Sequence, residues 1–440
     1  MTSLKYTLVL FFLMLASVSH SEMRVSLKVE ALSFLSPDYE NTEQKNFGFF
    51  GASLLTDAKK EDQVTVNLTG LYAWGQPALS YLNIREIYFA YHIDHSSKLY
   101  FGRKINDWSK LDSDWNIGFF NPQFRWNVLN PENQGLTGLF WERKESIWTL
   151  SLFASPLFLP DQGASYEVKN GKFENSNPWF QSPPQNIKFQ GNVILPIDYE
   201  LDKPETSEVI AQSLYGAQIQ YGEKQGFYAQ ASGIHKPANQ LALGYKVVGV
   251  VNRVRINLVP KVYSENNFAA DLGYRADWGL AQFSVLYSRP KAPSYDKGFN
   301  TPEFAESVSF GPSMSFDFHP FRLGLAYLDT SGGEVTETGP DASVDRPALS
   351  QRFLFRQAYQ AQVTYSDIYF KKVKVDSSFQ YRQSEKDQFK QIHFNQKVNF
   401  RGPWAFWADL ILIETADDSD SNIGPYRNLD QIFIGASYDI

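Results

Sequence analysis

Between Ser307 and Phe318 apolar and polar residues alternate without exception: Val308, Phe310, Pro312, Met314, Phe316 and Phe318 against Ser307, Ser309, Gly311, Ser313, Ser315 and Asp317. Successive side chains of a strand point to opposite faces, so this segment reads as a strand with one apolar and one polar side. The same period continues in Phe321, Leu323, Leu325 and Tyr327. It returns in Val373, Val375, Phe379 and Tyr381 against Lys372, Lys374, Asp376, Ser378, Gln380 and Arg382. Near the start Val25, Leu27, Val29 and Ala31 alternate with Arg24, Ser26, Lys28 and Glu30; midway Val254, Ile256 and Leu258 alternate with Arg253, Arg255, Asn257 and, further on, Lys261. The fold class is all-β.

A soluble sandwich alternates too, so other features must choose. The segments run about ten residues, the length that crosses a bilayer at a tilt. Aromatics recur at segment ends, among them Trp74, Tyr88, Tyr91, Trp148, Tyr274, Trp404 and Trp407, as two interfacial girdles require. Short connections (94–98, 144–145, 222–226, 275–279, 319–320, 401–403) alternate with long ones (36–46, 106–135, 156–209, 289–302, 330–352, 415–428). These features predict a single transmembrane antiparallel β-barrel of about 20 strands, with short periplasmic turns and long extracellular loops. The count ranges from 18 to 22 according to whether 186–198 belongs to the wall. With 43% hydrophobic and 20% charged residues and a mean hydropathy of −0.35, a bundle of membrane helices is excluded. Aromatics at 16% exclude disorder.

Residues 1–21 carry Lys5, an uncharged run from Tyr6 to Ala16, and small residues before Ser19 and Ser21, the pattern of a cleaved signal peptide. The remainder, 22–440, forms one barrel domain. There is no Cys, which removes disulfides and thiolate metal sites. Loss of Lys5 alone moves the formal charge from −7 to −8, so nucleic acid is not an expected partner.

In the last strand Gly435, Tyr438 and Ile440 resemble the terminal signal that outer-membrane barrels present to the barrel-assembly machinery, with Ile where Phe or Trp is usual. The hairpin with Ile84, Glu86 and Tyr88 on one arm and Gly102 and Arg103 on the other resembles one common to porins and polysaccharide-export barrels. The chain is similar to Gram-negative porin-like channels in these motifs. The resemblance implies the cell outer membrane, outer-membrane lipids as surroundings, and a homo-oligomer, since large porins are often trimers.

In such a barrel function lies on inward side chains and loops. The inward set is Arg24, Lys28, Arg253, Arg255, Lys261, Arg275, Lys372, Lys374, Arg382 and Lys397, against Glu30, Glu86, Asp271, Asp376, Asp409 and Asp439. Ten cations against six acids predict either a mild anion preference or pairing across strands. The segment 106–135 holds Trp108, Trp115, Trp126, Phe119, Phe120 and Phe124 with Asp107, Asp112, Asp114 and Glu132. A loop this apolar should fold inward as a constriction. General porins also constrict after their fifth strand. Its aromatics read as a packed plug ahead of a sugar-stacking track. The long loop 156–209 carries seven Pro and is placed over the mouth.

Asp418, Asp420, Asn422 and Gly424 approach a calcium loop, but no Glu stands at the twelfth position, so a solvated acidic loop is the expectation. His92, His95, His235, His319 and His393 are scattered, and no catalytic or metal-binding spacing occurs. No enzyme activity, metal or cofactor is expected. The sequence predicts a channel for small hydrophilic solutes, with an exopolysaccharide export conduit or a closed structural or adhesive barrel as alternatives.

Overall fold

The computed structural model describes residues 23–36, 45–56, 64–164, 166–175, 177–189, 193–222, 225–295, 297–340, 352–370, 373–415 and 424–440. Residues 1–21, for which a signal peptide is expected, and Lys372, Asp418, Asp420 and Asn422 lie outside the described residues.

The wall is an up-and-down meander. Its strands are β1 (Met23–Phe34), β2 (Asn46–Thr56), β3 (Val64–Trp74), β4 (Tyr81–His92), β5 (Ser97–Lys104) and β6 (Leu136–Lys144). Then come β7 (Trp148–Ser155), β8 (Leu214–Gly222), β9 (Gly226–Pro237), β10 (Ser264–Ala276), β11 (Gly279–Lys291) and β12 (Ser307–Phe318). The last six are β13 (Phe321–Gly332), β14 (Gln357–Phe370), β15 (Val373–Ser384), β16 (Phe389–Phe400), β17 (Trp404–Thr415) and β18 (Gln431–Asp439). Each pairs antiparallel with the next. β18 pairs with β1, Ser26 opposite Asp439 and Phe34 opposite Gln431, so the 18-stranded sheet closes without an edge.

At one end the connections are tight: 93–96, 145–147, 277–278, 319–320 and 401–403. The opposite end carries the long ones, 105–135, 156–213, 238–263 and 292–306, beside two short ones at 75–80 and 385–388. Outward positions are apolar and exposed: Leu27, Val29, Leu152, Ile219, Leu272, Val363 and Ile434. Tyr221, Phe227, Trp278, Phe318, Phe321 and Trp404 ring the tight-turn end, and Tyr72, Trp74, Tyr215 and Tyr359 the other. An apolar belt between two aromatic girdles is a surface solvated by lipid.

The wall has 18 strands rather than about 20, because the segments Ala242–Val250 and Arg253–Lys261 leave it. β9 pairs directly with β10, and the departing hairpin joins Asn186–Phe189 and Val193–Leu201 in a separate four-stranded sheet. The stretch 186–198 therefore belongs to a loop. Leu258, Ile197 and Tyr199 form a small core there with Val168 and Phe173, so loop residues, not lipid, cover the apolar face of this hairpin. Arg253 reaches Asp198 at 2.8 Å, Arg255 reaches Glu200 at 3.2 Å, and Lys261 donates to the Ser294 carbonyl at 2.6 Å. These three cations, expected to line the pore, stand on the loop sheet and not on the barrel wall. A one-sided sheet in water and a lipid-facing wall share one alternation.

Candidate permeation site

The segment after β5 is held at its two ends by the hairpin β4–β5. Glu86 accepts from the Ile105 N–H at 2.9 Å, while Arg103 donates from Nε to the Gly135 carbonyl at 3.0 Å and from Nη2 to Gln134 at 2.9 Å. Glu86 thus acts as a loop anchor. Between these ends the chain forms α1 (Lys110–Trp115), capped by the Ser109 hydroxyl, which accepts from the Asp112 N–H, and ended by Asn116 in the left-handed region (φ 49°). The Asp112 carboxylate accepts from the Phe119 and Phe120 N–H groups at 2.9 and 3.1 Å, folding the segment back on itself. Burial pushes its carboxyl up and those N–H groups pull it down. Asp112 is buried in the loop's own turn, so it faces no solute.

Side chains of β8 to β11 fasten the segment to the inner wall. Gln230 and Ser232 donate to the Trp108 carbonyl at 3.1 and 2.5 Å, and Gln218 donates to the Asp107 carbonyl at 2.6 Å. Asn267 donates to the Phe119 carbonyl at 2.8 Å, and Gln282 to Asp114 at 3.2 Å. Leu111 packs on β12 at Gly311, where an added Cβ would lie 2.9 Å from it. Asp107 pairs with Lys110 and accepts from Ser113. Farther along, Gln391 of β16 donates to the Leu129 carbonyl at 3.3 Å, so the segment crosses the barrel interior to the far wall.

Every aromatic ring named for this segment is buried. Trp108 lies on Phe120 and Phe153, Trp115 meets Phe355, and Phe119 meets Phe353. Phe124 and Trp126 pack on Tyr81. Trp179, from the 156–213 connection, packs at a tilt against Trp126, ring centroids 4.7 Å apart, and donates to Gln431 at 3.0 Å. The rings are a packed core rather than an open track.

Buried charges tie the segment to its neighbours. Lys236 bonds Glu265 at 3.0 Å and Asn239 at 2.7 Å; Arg352 bonds Glu265 at 3.3 Å and Ser288 at 2.7 Å, with its guanidinium 4.8 Å over Phe119. Asn239 donates in turn to the Gly118 and Asn121 carbonyls. Asp161 accepts from the Gln123 N–H at 2.7 Å and lies 3.7 Å from Arg125, joining the two long connections. Burial pushes its carboxyl up to about 7 against the pull of Arg125. Burial likewise raises Asp114 to about 6.

Two unlike cavities flank this partition. One, of about 540 Å³, is lined by Lys28, Arg85 and Lys397, by Glu30, Glu132 and Asp409, and by Phe124 and Trp126. Arg85 escaped the sequence reading. It is the extra residue of a bulge in β4, where the register against β3 shifts, so Arg85 and Glu86 both leave the lipid face. The signal was present in Ile84-Arg85-Glu86-Ile87, where alternation breaks. The other cavity, of about 310 Å³, lies between α1 and the wall from β11 to β14. The remaining cations are partnered: Arg24 lies 4.0 Å from Asp439, Lys374 3.6 Å from Asp376, Arg275 sits over Tyr228, and Arg382 bonds Gln360 at 2.8 Å beneath Trp115. In β18 an added Cβ at Gly435 would lie 2.2 Å from the Trp407 indole, Tyr438 packs on Trp404, and the Ile440 N–H donates to Val25.

No family model matches the chain, and no curated protein matches it. Among solved structures it is similar to OccAB4 of Acinetobacter baumannii, at 10% identity over 96% of this chain and 98% of that one, with a TM-score of 0.49. It is also similar to Pseudomonas aeruginosa OccK3, at 12% over 98% of each chain with a TM-score of 0.45. A BenF-like porin from Pseudomonas fluorescens Pf-5 shows 8% identity over 96% of this chain and 99% of that one, with a TM-score of 0.45. The architecture itself is decided by the closed ladder, whose lipid-facing belt encloses a polar, partitioned interior. The fold is a porin-like transmembrane β-barrel. In this barrel the wall and the inner segment are joined by side-chain bonds on both sides of the lumen.

Proposed function

We propose that the protein is an outer-membrane channel for small hydrophilic solutes, narrowed by the segment 106–135, with the tight turns in the periplasm and the long connections outside. The observation that carries this reading is the polar cavity on either side of that segment, inside a wall too wide for its own side chains to fill. Asp107, Asp114 and Glu132 are the acids of the segment that meet the cavities or the solvent; Lys28, Glu30, Arg85, Lys397 and Asp409 line the larger cavity. A mild anion preference has weaker support, because Arg253, Arg255 and Lys261 stand off the wall and the larger cavity balances three cations with three acids. A conduit for a polymer is disfavoured by a partition bonded to both walls. The packed aromatics favour one competing reading, a closed structural barrel.

Cleavage of 1–21, recognition of Gly435, Tyr438 and Ile440 by the assembly machinery, and a homo-oligomer belong to the same proposal. Single-channel recording of the refolded mature chain in a planar bilayer tests it. Discrete conductance steps are expected; inserted protein that passes no current would favour the closed barrel.

A further inference from the structure

Along the inner face of β11 to β14 the cavity wall bears amides and hydroxyls. Ser313, Ser315, Gln360, Gln362 and Thr364 line it, with Gln282 at its edge. The ladder sets these side chains in rows: Ser313 is opposite Gln282 on one side and Ala326 on the other, Gln360 opposite Ala326, and Gln362 opposite Gly324. The small residues Gly324 and Ala326 leave the space that the cavity occupies.

Several polar atoms in these rows have no described protein partner. Gln362 donates from Nε2 to Ser378 at 3.2 Å and to Thr364 at 3.4 Å, and no described bond reaches its amide oxygen. Gln360 accepts from Arg382 through Oε1, and its amide nitrogen is unengaged among the described contacts. The Ser313 and Ser315 hydroxyls, each able to donate and accept, complete the set. At the rim the two cations are paired, and the one acid, Asp114, is held by a neutral amide. Lys110 pairs with Asp107, Arg322 with Asp317, and Asp114 accepts from Gln282.

We propose that this lane is a binding site for neutral, polyhydroxylated solutes of saccharide size. Mixed donors and acceptors without net charge replace the water around hydroxyl groups. They do not compensate the stripping of water from a formal charge. A cavity of about 310 Å³ suits a small ligand. The proposal rests on the channel reading above and adds the class of solute.

The test compares glucose, gluconate and glucosamine, close in size and different in charge, in swelling of liposomes carrying the full mature chain. Glucose should enter fastest. Gln362→Leu should lower the glucose-to-gluconate ratio by about fivefold, the weight of one hydrogen bond, and Gln362→Asn should recover part of it. Thr364→Val, which keeps the side-chain shape, guards against a folding defect in the first variant and should lower the ratio in the same direction. If the inserted protein conducts KCl yet admits gluconate or glucosamine faster than glucose, the lane is not a site for neutral saccharides, though the channel stands. An inserted protein that passes neither ions nor sugars overturns the channel reading and this inference with it.

Discussion

On β1, β4, β16 and β17 the residues facing the larger cavity are Lys28, Glu30, Arg85, Lys397 and Asp409; on β12 and β14, facing the smaller one, they are Ser313, Ser315, Gln360, Gln362 and Thr364. Apart from Arg85, which the bulge in β4 turns inward, both sets occupy the polar positions of the same two-residue repeat, and the lipid face behind them is alike. The wall therefore constrains only the polarity of an inward position. Its chemistry is left open, and each side of the lumen can take a different character at no cost to the barrel. The segment 106–135 keeps the two sides apart.

Removing residues 107–134 is the most drastic way to break that contrast. The cavities should merge and single-channel conductance should rise severalfold; an unchanged conductance would mean that the segment does not narrow the passage. Next in size is Glu265→Ala, which leaves Lys236 and Arg352 buried without their shared acid, at a cost of about 3–5 kcal/mol. Trp126→Ala should cost a comparable ~3–5 kcal/mol by emptying the space between Tyr81 and Trp179. Urea unfolding in detergent reads both, and a loss below about 1 kcal/mol for either would show that the partition is held elsewhere.

A finer probe is charge reversal. Lys28→Glu or Lys397→Glu should shift the anion-to-cation permeability ratio about fivefold toward cations, as ~1 kcal/mol of screened interaction implies. The reversal potential under a salt gradient measures it. The mildest effect expected is on pH. Asp161 has its carboxyl raised from 3.8 to about 7, so its contribution to the native state is complete below 3.8 and is lost as pH rises through about 7. The groups facing it are Arg125, Lys236 and Glu265, with the Gln123 N–H. Current noise from the two joined connections should grow between pH 5 and pH 8 on that account, and Asp161→Asn should flatten the dependence. Equal noise at both values in the parent protein would remove Asp161 from any such role.

The wall was readable where one face meets lipid, as in Val308 to Phe318, because only a strand keeps that alternation over its length. The sequence did not separate Arg253–Lys261 from the wall, since an apolar stripe has the same period whether Tyr199 or a lipid chain covers it. Arg85 was hidden for a different reason: a bulge adds one residue and reverses the parity of all that follow. The aromatics of 106–135 announced their burial by composition. That Asp112 would be consumed by backbone N–H groups while Asp114 meets a cavity depends on a turn of the chain that no spacing declares.

β1 and β18 are wall neighbours, yet they lie at opposite ends of the strand order. The final seam therefore joins the segments farthest apart in sequence. Until β18 is in place, β1 and β17 both present a row of unpaired N–H and C=O groups, a template for a second chain as much as for the missing strand. A chain lacking its last strand would keep both of those edges open, and pairing with a second chain would compete with closure.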